Sequence, residues 1–323
     1  MPSNPPDAEA AARDGPFFVV LNAGSGKNDA DEEKRVMREV FEQAGRSVEF
    51  LAISDASPIT QLAARAVSLA RAQGGVVVAA GGDGTINAVA GAVLGSDCPF
   101  GVLPQGTFNY FGRVNAIPQD TRAAAQALIN ARVTPVQVGQ VNGKIFLVNA
   151  SLGLYPQLLE DRETWKSQLG RSRVVAFLSG LITLARHRSQ LKLEVELNGQ
   201  TTTVRTPTLF VGNNHLQLER VGIDENDAGA VRRGELTVIV LKPIGSIALF
   251  GLLLRGVIGR LGDAENVNSF SFRRLTVRPR GQRRIKVATD GEIVWMNSPL
   301  VFEVSPTPLL LLVPAPEDRV PVE

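Results

Sequence analysis

The chain has 323 residues, 44% hydrophobic and 20% charged, which is ordinary globular usage with enough apolar mass for two domains. Thirty-four basic against 32 acidic residues leave a formal charge of +2, which by itself selects no partner. Cys98 is the single cysteine, so an intrachain disulfide and a cysteine metal cluster are both excluded. The acidic N-terminal stretch lacks the apolar core of a signal peptide, and no apolar run reaches the roughly 18 residues of a spanning helix. A cytoplasmic protein is expected, with disorder only at the ends, around Pro2, Pro5 and Pro6 and around Pro314 and Pro316.

Phe17 to Leu21 reads as a buried strand feeding the loop Asn22-Ala23-Gly24-Ser25-Gly26-Lys27. Asp31 to Ala44 carries Val36, Val40 and Phe41 at helical spacing. Val48 to Ile53 predicts a second strand, Ile59 to Ala72 a second helix, and Val76 to Ala80 a third strand running into Gly81-Gly82-Asp83-Gly84-Thr85. Asn87 to Leu94 predicts a helix, Phe100 to Leu103 a strand, Pro104 to Asn109 a loop, and Gln119 to Arg132 a closing helix. This alternation predicts a parallel sheet covered on both faces.

The texture changes after Val133. Strands are predicted at Val136–Val141, Lys144–Ala150, Leu191–Leu197, Thr201–Arg205, Thr208–Gly212, Glu235–Leu241, Phe270–Val277, Arg284–Ala288 and Leu300–Val304. Asn142-Gly143 and Asn198-Gly199 are hairpin turn sequences, so the second half is expected to be an all-β sandwich. Helical stretches at Arg173–His187 and Ile244–Leu261 interrupt it, each with an apolar middle and basic flanks suited to a membrane interface or to packing on the sandwich. Leu309 to Val313 is a late apolar run expected to return to the first domain. The expected division is 14–134, with 305–318 returning to it, and 135–304.

Between Arg273 and Lys286 lie Arg274, Arg278, Arg280, Arg283 and Arg284 with no acid among them. Two readings stay open: the wet face of strands, or attraction to the phosphate of a nucleotide or an anionic membrane. No nucleic-acid partner is expected, because no aromatic stacking residues interleave with these arginines.

Three glycine-rich loops follow three predicted strands of one parallel sheet, at the edge where such sheets bind ligands. Glycine lets backbone N–H groups approach phosphate without a Cβ in the way. Neither a Walker A loop nor a Gly-x-Gly-x-x-Gly spacing is present. Asp83 sits among bare amides, which is chemically sensible if Mg²⁺ lies between its carboxylate and a phosphate, and equally reads as a turn or capping residue.

Gly81-Gly82-Asp83-Gly84-Thr85-Ile86-Asn87 resembles the nucleotide motif of the diacylglycerol kinase catalytic domain, shared more loosely with NAD kinases and phosphofructokinases. Leu103-Pro104-Gln105-Gly106-Thr107-Phe108-Asn109-Tyr110-Phe111-Gly112-Arg113 resembles the second motif of lipid kinases, Asn22 to Gly26 the first loop, Asn149 to Pro156 the segment opening the second domain, and Asp290-Gly291-Glu292 the late acidic motif. The resemblance implies an NAD kinase/phosphofructokinase-like α/β domain followed by a β-sandwich. It implies an ATP- and Mg²⁺-dependent kinase acting on a lipid hydroxyl, diacylglycerol first, to give phosphatidic acid. Asn22, Ala23, Gly24, Ser25, Gly26, Gly82, Asp83, Gly84, Thr85, Asn87, Thr107 and Asn109 would bind the nucleotide. Asp83 would organise the metal, Glu292 would act as general base, and Asp290 would be its neighbour or metal partner.

Two positions depart from the family pattern. Tyr110 stands where the family usually has Asp, and Arg233, before Gly234, stands where some members have an Asp supporting a structural Mg²⁺; no such metal is expected here, since Arg cannot ligate a cation. The partners expected are a lipid substrate at a membrane surface and a peripheral contact with that membrane; a homodimer is compatible with the sequence. The rival readings are an NAD kinase-like enzyme and a non-catalytic nucleotide or lipid sensor.

Overall fold

A computed structural model of the chain describes residues 6–22, 27–54, 57–153, 156, 190–214, 218, 231–242 and 267–321. The chain divides into two compact units, Met1–Val138 with Pro306–Glu323, and Gly139–Ser305.

The first unit is built on one six-stranded sheet. Strands β1 (Phe17–Leu21), β2 (Val48–Ala52), β3 (Val76–Gly81) and β4 (Phe100–Pro104) alternate with helices α2 (Lys27–Gln43), α3 (Ile59–Gln73) and α4 (Asp83–Val93). Helices α5 (Tyr110–Val114) and α6 (Thr121–Ile129) then lead to β5 (Arg132–Val136). The strand order is β2-β1-β3-β4-β18-β5, where β18 is Leu309–Val313. The first five strands are parallel and β5 runs antiparallel to β18. The strand at 132–136 falls partly where the sequence reads as helix, and it gives an otherwise parallel sheet a mixed edge. Every residue of β1, β3 and β4 is buried, as an apolar run covered on both faces requires. Helix α3 packs with α4, and α2 with α6.

The N-terminal stretch departs from the expectation of disorder. Pro6–Asp14 forms helix α1, burying Ala8, Ala11 and Ala12. Arg46 locks its end: the buried guanidinium donates to the carbonyls of Ala11, Ala12, Arg13 and Gly15 and lies over the Phe17 ring. A cation at a helix C-terminus meets the unpaired carbonyls and the negative end of the dipole together. Pro6 sits at the helix start, where its missing N–H costs nothing.

The second unit has two six-stranded antiparallel sheets. One has the order β10-β9-β14-β17-β6-β7, formed by Gln200–Thr206, Leu191–Leu197, Arg274–Pro279, Leu300–Val304, Gly139–Val141 and Lys144–Phe146. The other has the order β13-β12-β11-β8-β15-β16, formed by Val267–Phe272, Leu236–Leu241, Thr208–Gly212, Asn149–Gly153, Arg284–Thr289 and Glu292–Asn297. Side chains of both sheets meet in one core, with Phe146, Leu193, Val277 and Phe302 from the first and Leu152, Leu209, Val238 and Val287 from the second. Two apolar runs read as single strands are each divided. Lys144–Ala150 breaks into β7 and β8, and Phe270–Val277 into β13 and β14, each change of strand carrying the chain from one sheet to the other. The helical stretches expected at 173–187 and 244–261 lie outside the described residues.

The run of arginines after Arg273 resolves in part. Arg274 pairs with Glu303 (2.6 Å), Arg278 with Glu196 (2.7 Å) and Arg280 with Glu194 (2.7 Å), all across neighbouring strands. These three are a wet sheet face bearing cross-strand ion pairs.

Candidate functional site

In the first unit the chain turns from β1 to β2 on one side and crosses back to β3 on the other, so the sheet order reverses between β1 and β3. The carboxyl ends at such a reversal form a natural ligand crevice. Asn22 leaves β1 there; its side-chain amide donates to Thr85 Oγ1 (3.0 Å) and its backbone N–H to Ala80 O (3.0 Å). Gly81 ends β3 directly against Thr85, where an added Cβ would stand 2.8 Å from that side chain. Gly82 comes so close to the next loop that a Cβ on Gly106 would lie 2.8 Å from Gly82 Cα. Gly106 is thus needed for the backbone approach between the two motifs, and Gly81 for the packing of the Thr85 side chain within the first.

Asp83 is not in a loop, as the sequence suggested. Gly82 is the N-cap of α4 and Asp83 its first residue, with Gly84 and Thr85 completing the turn. The N–H groups of that turn have no partner within the helix, and the dipole there favours anions. The Asp83 carboxylate is turned towards the second motif. It accepts from the Phe111 amide (Oδ1, 3.5 Å), and the amides of Asn109 and Tyr110 also act on it. Burial raises its pKa above the ordinary aspartate value, and these backbone N–H groups oppose the rise.

The second motif is held by Asn109, in the left-handed region (φ 50°) and buried. Its Oδ1 accepts from Gly106 N (2.8 Å), while its Nδ2 donates to Gly106 O (2.8 Å) and Gln119 Oε1 (2.8 Å). Asn109 therefore shapes the loop, and its side chain is engaged within it. Thr107 is exposed, while Thr85 and Asn87 are buried. Phe108 and Tyr110 stack with rings nearly parallel, centroids 5.5 Å apart, and both are exposed. Gln105 escaped the sequence reading: its side-chain oxygen and nitrogen are both buried and have no hydrogen-bond partner among the described residues. Ala23, Gly24, Ser25 and Gly26 lie outside the described residues.

In the second unit Asp290-Gly291 forms the turn between β15 and β16, with φ of 47° and 87°, the two positive values of a type I′ hairpin. The Asp290 carboxylate accepts three amides at the β7–β8 corner, those of Leu147 (2.7 Å), Val148 (2.9 Å) and Asn149 (2.9 Å). Asn213, absent from the sequence reading, closes the same corner through its side-chain donation to Leu147 O (3.0 Å). Glu292 opens β16, is well exposed, and is ion-paired with Lys144 (2.9 Å). Asp290 and Glu292 thus point to different partners: one anchors a corner and the other is accessible. Arg233 closes a short 3-10 turn, Val231–Arg233, before Gly234 with φ 82°.

Residues 16–141, which contain both glycine motifs, match the diacylglycerol kinase catalytic domain. Over this segment the chain is similar to that family. It is 33% identical over 186 residues to a diacylglycerol kinase of Bacillus subtilis, a match covering 56% of this chain and 59% of the relative. A diacylglycerol kinase of Staphylococcus aureus is 27% identical over 277 residues, covering 80% of this chain and 84% of that one. The chain thus spans less than two thirds of the length of the Bacillus subtilis relative. A crystal structure of a diacylglycerol kinase from Bacillus anthracis superposes with a TM-score of 0.66 at 18% identity, covering 94% of this chain and 97% of that one, which extends the likeness of fold over both units. No described helix is long and apolar enough to cross a membrane.

Proposed function

We propose that the protein is an ATP-dependent lipid kinase that phosphorylates a lipid hydroxyl, with diacylglycerol as first candidate acceptor and phosphatidic acid as product. The observation that carries this is the β3–α4 junction, where a family-matched glycine turn presents free helix amides and a buried carboxylate at the crevice of a parallel sheet. In this reading the first unit holds the nucleotide and the second serves the acceptor.

The amides of Gly84 and Thr85 would receive phosphate oxygens, and the absence of a side chain at Gly84 leaves that approach open. A magnesium ion fits this donor set, because one hard carboxylate leaves most of the coordination shell to phosphate and water. Asp83 would hold it, and when bound it would neutralise charge on the transferred phosphoryl group. The acceptor hydroxyl oxygen forms a bond to the γ-phosphorus, the bond from that phosphorus to the bridging oxygen of ADP breaks, and the hydroxyl proton passes to the Glu292 carboxylate. Positioning and charge neutralisation supply most of the rate, and a base adds roughly 10²–10⁴-fold. Asp290 acts here through structure: with its oxygens on three amides it fixes the turn from which Glu292 projects.

The test is incubation with γ-labelled ATP, Mg²⁺ and a total lipid extract, followed by separation of the lipids, beside Asp83→Asn and Glu292→Gln. A labelled lipid lost in both variants supports the reading and identifies the acceptor class. ATP binding without any labelled lipid would replace it with a nucleotide sensor, and labelling of NAD in place of lipid with an NAD kinase.

A further inference from the structure

We propose that the outer face of the β15–β16 hairpin is a docking surface for an anionic bilayer. This deepens the lipid-kinase reading, on which it rests for its purpose, and it assigns the membrane contact to a sheet edge.

Strand β16 is the edge of its sheet. Trp295 stands on it 56% exposed, the most exposed of the large apolar side chains among the described residues. Its cross-strand partner is Lys286, whose ammonium lies 5.3 Å from the ring centroid, and the Arg284 guanidinium lies 5.9 Å from the same ring. Arg284, Lys286 and Trp295 alternate onto one face, since Arg284 and Lys286 are two residues apart and Lys286 lies opposite Trp295. Next to Lys286 on the other side is Gly153, one step along the ladder from the Val287–Leu152 pair. Gly153 has φ 92°, and a Cβ there would lie 2.3 Å from Pro207 O, so the backbone forbids a side chain. The row is therefore open at Gly153 and walled by Trp295, and it borders a cleft of about 310 Å³ that Leu191 and Gln282 also line.

Among the described residues that line this cleft, the one charged side chain is that of Lys286. Arg274, Arg278 and Arg280 on the other sheet are each matched by a glutamate. Among the described residues no carboxylate lies within ion-pairing distance of Arg283 or Arg284. The sequence from 273 to 289 contains no acid, and Glu292, on the same hairpin, is engaged by Lys144. Tryptophan beside Lys and Arg is the chemistry of a bilayer interface: the ring settles at headgroup depth while the cations meet lipid phosphate. Glu292 and Trp295 share β16, three residues or about 10 Å apart along the strand, and they project from opposite faces of it.

The test uses the full chain with Trp165→Phe, which leaves Trp295 as the only tryptophan, and vesicles of phosphatidylcholine with or without phosphatidylglycerol. Trp295 emission is expected to shift to the blue and to be quenched by brominated acyl chains only when phosphatidylglycerol is present, with the effect falling as salt rises. Arg284→Glu is expected to lower vesicle partitioning about tenfold, since each basic group near such a surface is worth roughly fivefold and reversal also adds repulsion. Trp295→Ser should lower it severalfold at unchanged melting temperature; if that variant does not fold, Arg284→Glu alone decides. Equal quenching on neutral and anionic vesicles, or partitioning untouched by Arg284→Glu, overturns the proposal. So does a blue shift that follows protein concentration without vesicles, which would mean that a second copy covers the face. Phosphorylation of dispersed dioctanoylglycerol separates the two readings. Its survival in a chain that fails to dock removes only the docking surface, and its absence in a chain that docks removes only the kinase.

Discussion

Asp83 and Gln105 show what single residues cost and offer at this site. The folded protein holds the Asp83 proton more tightly than the unfolded chain does. Its contribution to stability is therefore fully present below the ordinary value of 3.8 and is lost as pH rises through the raised one. Asp83→Asn is accordingly expected to melt above the parent at pH 7, with the gap closing below about pH 4, while ATP-Mg²⁺ no longer raises its melting temperature. A variant that melts below the parent at pH 7 would show that the amides from the second motif outweigh desolvation. The buried, unpaired amide of Gln105 carries a similar penalty. Gln105→Leu is expected to stabilise the ligand-free protein by about 1 kcal/mol and to shrink the shift produced by ATP, both read by thermal melting. Glycine after an apolar strand was legible in the sequence because close backbone approach tolerates little else. The orphaned amide was not, because satisfaction of a polar group is a property of its neighbours.

At the scale of elements, the turns were the most legible features and the corners the least. Asn142-Gly143, Asn198-Gly199 and Asp290-Gly291 all adopt the paired positive φ values that such dipeptides favour. The reading of Asp290-Gly291 as a turn and the family's reading of it as part of a site are compatible, because the turn aims the carboxylate at three amides of another corner. Asp290→Ala is expected to destabilise the second unit by about 3 kcal/mol, several charge-assisted hydrogen bonds being lost together, seen as a lower urea midpoint. Asp290→Asn keeps the turn but sets an NH₂ group against amide donors, so it should recover only part of that loss. Full recovery would assign Asp290 to turn geometry alone. The division of Lys144–Ala150 and of Phe270–Val277 into two strands each escaped the sequence. An apolar run looks the same whether it stays in one sheet or passes to the facing one.

At the scale of the molecule, the first unit depends on a strand supplied by the end of the chain. Leu309, Leu310, Leu311 and Leu312 are buried between β4 and β5, so the sheet that carries the candidate nucleotide crevice is finished only after the second unit has been made. Leu311→Ala leaves a cavity at a fully buried position and is expected to cost about 2–5 kcal/mol, measured as a lower melting temperature with weaker ATP binding. A chain ended at Ser305 lacks this strand and is expected to lose ATP binding altogether. Retained binding would show that β4 and β5 can close on each other without it.

By itself the sequence determined the alternation of apolar runs with helical periodicity, the glycine turns after β3 and β4, the type I′ hairpins and the family of residues 16–141. Those are local matters of periodicity, φ range and motif. Only the tertiary structure decided that Leu309–Val313 enters the sheet beside β4, that Asp83 faces the amides of residues 109–111, and that Asp290 serves a corner more than 140 positions away in the chain. The same holds for the exposed Trp295 beside two cations. Burial, desolvation and hydrogen-bond satisfaction depend on which distant segments arrive at one place, and no local pattern in the chain encodes that meeting.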